Sequence, residues 1–160
     1  MLKQGMARWL LLAFVIMVVD QATKLTIESA FEFGDVLPIF NGFNLVLTYN
    51  KGAAFSFLAT AGGWQRHFFT LLALVVSVAI VAMLRKHHGE TRFALALSLI
   101  LGGAVGNLID RLLYGHVIDF LDVYWGTSHW PAFNIADSAI CVGAVLMVLD
   151  SFKKPANQTT

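Results

Sequence analysis

"FALALSLILGGAVGNLIDR", residues 93 to 111, is an uncharged apolar run that ends on Asp110 and Arg111. As a helix, the part from Phe93 to Ile109 would rise about 25 Å, close to the hydrocarbon thickness of a bilayer. A run of this kind is a membrane span, so the reading turns on where the few charges sit. Gly102 and Gly106 have the small-xxx-small spacing that lets two membrane helices approach closely.

The rest of the chain agrees. Of 160 residues, 58% are hydrophobic and only 13% charged, and mean hydropathy is +0.70. Soluble domains carry roughly 45–50% apolar residues. One domain over residues 1–160 is expected at this length. A net charge of +1 gives no reason to expect a nucleic-acid partner. The single cysteine, Cys141, excludes an intramolecular disulfide and is read as a buried, inert thiol in an apolar run.

Three more runs have span character. "FFTLLALVVSVAIVAML", residues 68–84, is uncharged, and Ile135 to Leu149 is the last apolar segment. "WLLLAFVIMVV" from Trp9 reaches span length only by continuing through Asp20 and Lys24 to about Ile27. Lys3 and Arg8 before it suit a signal peptide, but no A-x-A cleavage pattern follows, so a retained anchor is expected. Spans are expected at about 9–27, 68–84, 93–110 and 134–150. The positive-inside rule groups Lys3 and Arg8, then Arg85, Lys86 and Arg92, then Lys153 and Lys154 on one side. Both termini then face the cytoplasm, and segments of about 28–67 and 111–133 face outward.

The first outer segment contains "DVLPIFNGFNLVLTYN", residues 35–50, in which Asn41-Gly42 divides two strand-forming runs as a hairpin requires. "AAFSFLATAGGWQRHFF", residues 53–69, is expected to lie in the membrane interface as a short helix or loop anchored by Trp64. The expected fold is a membrane all-α bundle of four transmembrane helices carrying a small extracytoplasmic β element.

Charge inside a span costs roughly 2.5–3.5 kcal/mol at the helix centre, so its acids invite a functional reading. Asn107, Asp110 and Arg111 share one helix face at i, i+3 and i+4. Asn134 and Asp137 are three apart at the start of the last span, where Pro131 precedes the helix. If "YGHVID" folds back, Asp119 and Asp137 meet. Two carboxylates at short range in a dry site share a proton. One can then take a proton from water while the other polarises a peptide carbonyl.

Bland readings stand beside this one. Asp110 with Arg111 reads as a supporting charge pair, and Asp20 with Lys24 as a helical ion pair of structural role. Asp122 reads as a solvated loop acid and Asp150 as a helix-end charge. His116 lacks a second histidine at i+4 and no HExxH pattern occurs, so no metal site is expected. Ser138 lies in no G-x-S-x-G elbow and is assigned to helix packing. On residues alone, proteolysis stands level with a proton or ion pathway through Asp20, Asp110 and Asp137. A non-catalytic scaffold packed through Gly102, Gly103 and Gly106 is the third reading.

Four fragments in order separate these readings: "VDQATK" (19–24), "YNKGAAFSF" (49–57), "GGAVGNLIDRLLYGHVIDFLD" (102–122) and "FNIADSAI" (133–140). Together they resemble the bacterial lipoprotein signal peptidases, membrane-embedded aspartic peptidases of the inner membrane. The G-x-G-D element of the presenilin and prepilin peptidase class is missing. The resemblance implies cleavage of diacylglyceryl-modified prolipoproteins just before the lipidated cysteine, at the outer side of the membrane; a monomer without a cofactor is expected. It implies that Asp119 and Asp137 are the catalytic dyad. By the same resemblance Asn50, Gly52, Asn107, Arg111 and Asn134 surround that dyad, with Asp110 in support. Asp20 is structural, and globomycin-type compounds inhibit.

Overall fold

In the computed structural model of the chain, which describes residues 4–52 and 64–152, four helices and four strands alternate in two blocks. They are α1 (Gln4–Ala30), β1 (Val36–Phe40), β2 (Phe43–Asn50), α2 (Trp64–His87), α3 (Thr91–Leu113), β3 (Val117–Trp125), β4 (Ser128–His129) and α4 (Ile135–Ser151). Among the described residues three helices are long and apolar enough to cross a membrane: Gly5–Ala30, Trp64–His87 and Thr91–Leu113. α4 has 17 residues and as a helix rises about 26 Å. Helices α1 and α2 begin before the expected spans, at Gln4 and Trp64. Hydropathy marks only the dry part of a membrane helix, while backbone hydrogen bonding continues into its polar flanks. Of the segment expected in the interface, residues 53–63 lie outside the described residues. Trp64 to Phe69 are the first turns of α2, with Trp64 exposed.

α3 is the axis of the bundle and packs against the other three helices. Its buried face is rich in small residues, among them Ala94, Ala96, Gly102, Gly103 and Gly106, because close backbone approach takes the place of the hydrophobic effect between helices in lipid. A β-carbon on Gly102 would lie 2.7 Å from the Ala13 carbonyl of α1. One on Gly103 would collide with the Ala136 carbonyl of α4. Large apolar side chains such as Phe14, Leu71, Val78 and Val145 point outward instead.

Two apolar clusters cap the bundle interior. Trp9, Ala13, Ile80, Leu84, Ala94 and Leu97 form one, and the Trp9 indole donates to the His88 carbonyl at 2.9 Å, tying the start of α1 to the α2–α3 turn. Ile27, Leu47, Ile118 and Phe120 form the other, beneath the sheet. α1 runs from the first cluster to the second, so its polar residues Asp20 and Lys24 lie between them.

The sheet is antiparallel in the order β1-β2-β3-β4. The expected hairpin is present, with Phe40 opposite Phe43 and Gly42 at φ +98°, a conformation glycine adopts without strain. The segment 111–133, read from sequence only as an outer connection, contains β3 and β4. β3 pairs along β2, with Asn50 opposite Val117 and Thr48 opposite Asp119. Beyond β4, Phe133 bridges to Leu121, so the chain returns along β3 before it enters α4.

Gly103→Ala is expected to destabilise the protein by about 1–3 kcal/mol through overpacking against α4. Gly89→Ala, in open space, is expected to be neutral. Thermal unfolding in detergent compares the two, and equal stability would contradict the packing described.

Candidate active site

Asp119 is delivered by β3 and Asp137 by the first turn of α4. Asn134 joins them. As the N-cap of α4 it accepts the Asp137 backbone N–H at 2.8 Å, the favoured arrangement for an asparagine at that position. Its amide nitrogen donates to Asp119 Oδ1 at 2.7 Å, to the Ile118 carbonyl at 3.1 Å and to Asn107 Oδ1 at 3.3 Å. Asn107, on α3, donates in turn to Asp137 Oδ1 at 2.7 Å. The other oxygen of Asp119 accepts from Asn50 at the end of β2, at 3.1 Å.

Asn50 Oδ1 also accepts the Gly52 N–H at 2.8 Å, and the Gly52 carbonyl accepts from Arg111 Nη2 at 3.0 Å. Arg111 Nη1 reaches the Asn107 carbonyl at 3.3 Å, and its guanidinium lies over the Phe69 ring at 5.6 Å. Asn50, Asn107 and Asn134 therefore bind the two acids directly, with Gly52 and Arg111 joined to them through Asn50 and Asn107. Asp119 is fully buried, whereas Asp137 borders a cleft of about 210 Å³ shared with Phe69, Leu72, Val76, Asn107 and Arg111. On its other side Asp137 meets a smaller hollow beside Trp130, Phe133 and Cys141.

Asp110 lies one step away. It does not pair with Arg111 as expected, because adjacent residues on a helix diverge by about 100°. Its carboxylate accepts from Lys24 at 2.9 Å, from Gln21 at 2.7 Å and from the Ile118 N–H at 3.2 Å. The Asp20–Lys24 ion pair forms as expected, at 2.7 Å. Asp20 also accepts the Ala136 N–H at 2.8 Å, which fixes the start of α4 against α1.

Two bland readings are overturned. Asp122 is buried rather than solvated, held by Asn44 at 2.7 Å and by His129 at 2.9 Å from the strands on either side. Cys141 is exposed, because α4 turns large and apolar groups outward. Sequence reasoning also missed Gln21 and Phe69. Gln21 was signalled by an amide between Asp20 and Lys24 in an otherwise apolar helix; Phe69 carried no signal. Ser138 donates to the Asn134 carbonyl, a packing role. His116 packs tilted against Tyr49, with ring centroids 4.2 Å apart. Among the described residues no group of three or more His, Cys, Asp or Glu is placed to hold a metal ion.

Burial pushes the Asp119 carboxyl up to about 7, and the charge of Asp137 adds to the rise, against the opposing hydrogen bonds from Asn50 and Asn134 and the charge of Lys24. Two carboxylates that feel one another across shared amides hold protons as a pair.

Apolar helices gathered around recessed carboxylates mark a membrane protein with a buried polar site. The chain belongs to the signal peptidase (SPase) II family, whose model matches residues 12–153, and it is a peptidase. It is similar to the lipoprotein signal peptidase of Janthinobacterium sp. (strain Marseille), 57% identical over 95% of this chain and 92% of that one. It is likewise similar to that of Cupriavidus taiwanensis, 58% identical over 91% of this chain and 83% of the relative. A solved bacterial membrane enzyme superposes with a TM-score of 0.83 at 30% identity, covering 96% of this chain and 95% of that structure.

Because the Asp119 carboxyl rises from 3.8 to about 7 on folding, its protonation contributes stability that is full below about pH 3.8 and is lost as pH rises through 7. An amide at position 119 does not titrate. The thermal stability of the native protein relative to Asp119→Asn is therefore expected to fall between pH 4 and 8 in detergent. A difference that stays constant with pH would refute the raised value.

Proposed function

We propose that this chain removes signal peptides from diacylglyceryl-modified prolipoproteins by cutting just before the lipidated cysteine, with Asp119 and Asp137 as the catalytic dyad. The observation that supports the dyad most strongly is the Asn134 side chain, which binds the Asp119 carboxylate and the Asp137 N–H at once. In this reading the pair holds one proton. The ionised acid takes a proton from a water, the resulting hydroxyl attacks the scissile carbonyl, and the protonated acid donates to that carbonyl's oxygen. Collapse of the tetrahedral intermediate breaks the C–N bond as the nitrogen is protonated, leaving a carboxylate on the signal peptide and an amine on the lipidated cysteine. Asn50, Asn107 and Asn134 orient the carboxylates, while Asp110, Asp20 and Lys24 brace the helices behind them.

Arg111 serves the substrate backbone. Its Nε is buried and has no acceptor among the described residues, and the side chain lines the cleft beside Asp137. A backbone carbonyl of a peptide entering that cleft is a suitable acceptor for this guanidinium. The apolar wall of Phe69, Leu72 and Val76 suits the apolar part of a signal peptide. Globomycin-type inhibitors would occupy the same cleft.

The chain is a single membrane domain over residues 1–160, working as a monomer in the inner membrane. α4 completes four crossings, with both termini cytoplasmic and the sheet outside. Two features support this orientation: the basic last turn of α2, Arg85 to His87, and the Trp9–His88 tie that brings the start of α1 to the same end.

Asp119→Asn and Asp137→Asn are each expected to lower prolipoprotein cleavage by about 10²- to 10⁴-fold while the protein stays folded. Turnover within a few-fold of normal in either variant removes the dyad. In a Cys141→Ser background, Thr127→Cys is expected to react with a membrane-impermeant thiol reagent added to spheroplasts, and Glu90→Cys only after lysis. The reverse pattern inverts the topology.

A further inference from the structure

Lys24 is buried in the bundle, and its ammonium meets three acceptors: Asp20 Oδ2 at 2.7 Å, Asp110 Oδ2 at 2.9 Å and Asn107 Oδ1 at 2.9 Å. An ammonium has three N–H donors and no acceptor, so this set saturates it. The two carboxylates account for the charge. The third acceptor is a neutral amide that ion pairing does not require, and it belongs to the residue that holds Asp137.

A carboxamide has nearly the same shape either way round, and its direction is set by its partners. Asn107 faces Lys24 on one side and Asp137 on the other. Lys24 can only donate, so the amide oxygen must turn to it. The amide nitrogen must then face Asp137, to which it donates at 2.7 Å. Asn134 Nδ2, at 3.3 Å from the same oxygen, favours the same direction. With the direction reversed, the oxygen would oppose the Asp137 carboxylate and the NH₂ would oppose the ammonium, two repulsions in a dry site.

We infer that Lys24 is a positioning residue for the reaction: it fixes which end of the Asn107 amide meets Asp137 and so holds that carboxylate in its reactive place. The inference rests on the dyad reading above. All three donors of Lys24 are engaged within the bundle, so it acts through Asn107 and touches no substrate. It also gives α1 a part in the chemistry, although neither acid of the dyad lies on that helix.

Lys24→Met alone strands two carboxylates and risks misfolding. The pair Asp20→Asn with Lys24→Met removes one charge of each sign and leaves the local sum unchanged, while Asn107 loses its donor. With detergent-solubilised full chain and a synthetic diacylglyceryl prolipopeptide, this pair is expected to lower kcat by about 10- to 100-fold, as misplacement of a reacting group does, with KM within about twofold. Added to Asn107→Leu it should lower kcat little further, because both changes remove one interaction. A kcat within twofold of normal, or losses that multiply in the combined variant, would overturn the inference.

Asn107→Asp decides the matter if the pair does not fold, because it keeps Lys24 and gives it another anionic acceptor. Held by Lys24, the new carboxylate turns its second oxygen to Asp137, so kcat should be low at pH 8 and recover toward pH 6 as the two acids share a proton. Loss of activity without such recovery means the group is not held and overturns the inference. Full activity of Asp119→Asn would instead sink the dyad itself, a separate result.

Discussion

The Asn134 side chain is the interaction on which the outer half of the molecule depends. One carboxamide begins α4, binds Asp119 on β3 and reaches Asn107 on α3. A helix N-terminus has backbone N–H groups without partners, and in a membrane protein no bulk water is at hand to satisfy them. The first turn of α4 solves this with side chains from elsewhere: Asn134 for the N–H of Asp137 and Asp20 of α1 for that of Ala136. Satisfying the helix start thereby brings the two acids to one place.

The bundle inverts the packing of a soluble protein. Small and polar residues of α3 are buried, while large apolar residues cover the outside. Such an interior has room for a polar network because close backbone contact at Gly102 and Gly103 brings the helices together without bulky side chains. The network is also complete enough to be tolerated. Lys24 is saturated, and Asp110 is held through both of its oxygens by Lys24, Gln21 and the Ile118 N–H. Lys24 and Gln21 come from α1 and Ile118 from β3, so the buried charges bind α1, α3 and β3 to one another.

Much of this was legible in the residues. Uncharged runs located the helices, Asn41-Gly42 located the hairpin, and helical spacing gathered Asn107, Asp110 and Arg111. Their partners were harder to read, because local spacing ranks neighbours along one helix and is blind to a lysine arriving from another. Asp110 was thus matched with Arg111 when its cation is Lys24. β3 was hidden for a related reason: Asp119 and Asp122 made "VIDFLDVYW" look like a loop, although Val117, Ile118, Phe120 and Tyr124 are strand formers. Both acids are buried within the sheet because amides and an imidazole on neighbouring strands await them. The roles proposed for Asp119 and Asp137 rest on the resemblance of four short motifs; the residues alone left an ion pathway equally open.

The two acids ride on different kinds of structure, one on a strand and one on a helix, joined by the return of Phe133 along β3. Neither the inserted helices nor the sheet contains the pair. In the reading proposed above the site is therefore a property of the seam between sheet and bundle: any change that loosens that seam parts the two acids without touching either of them.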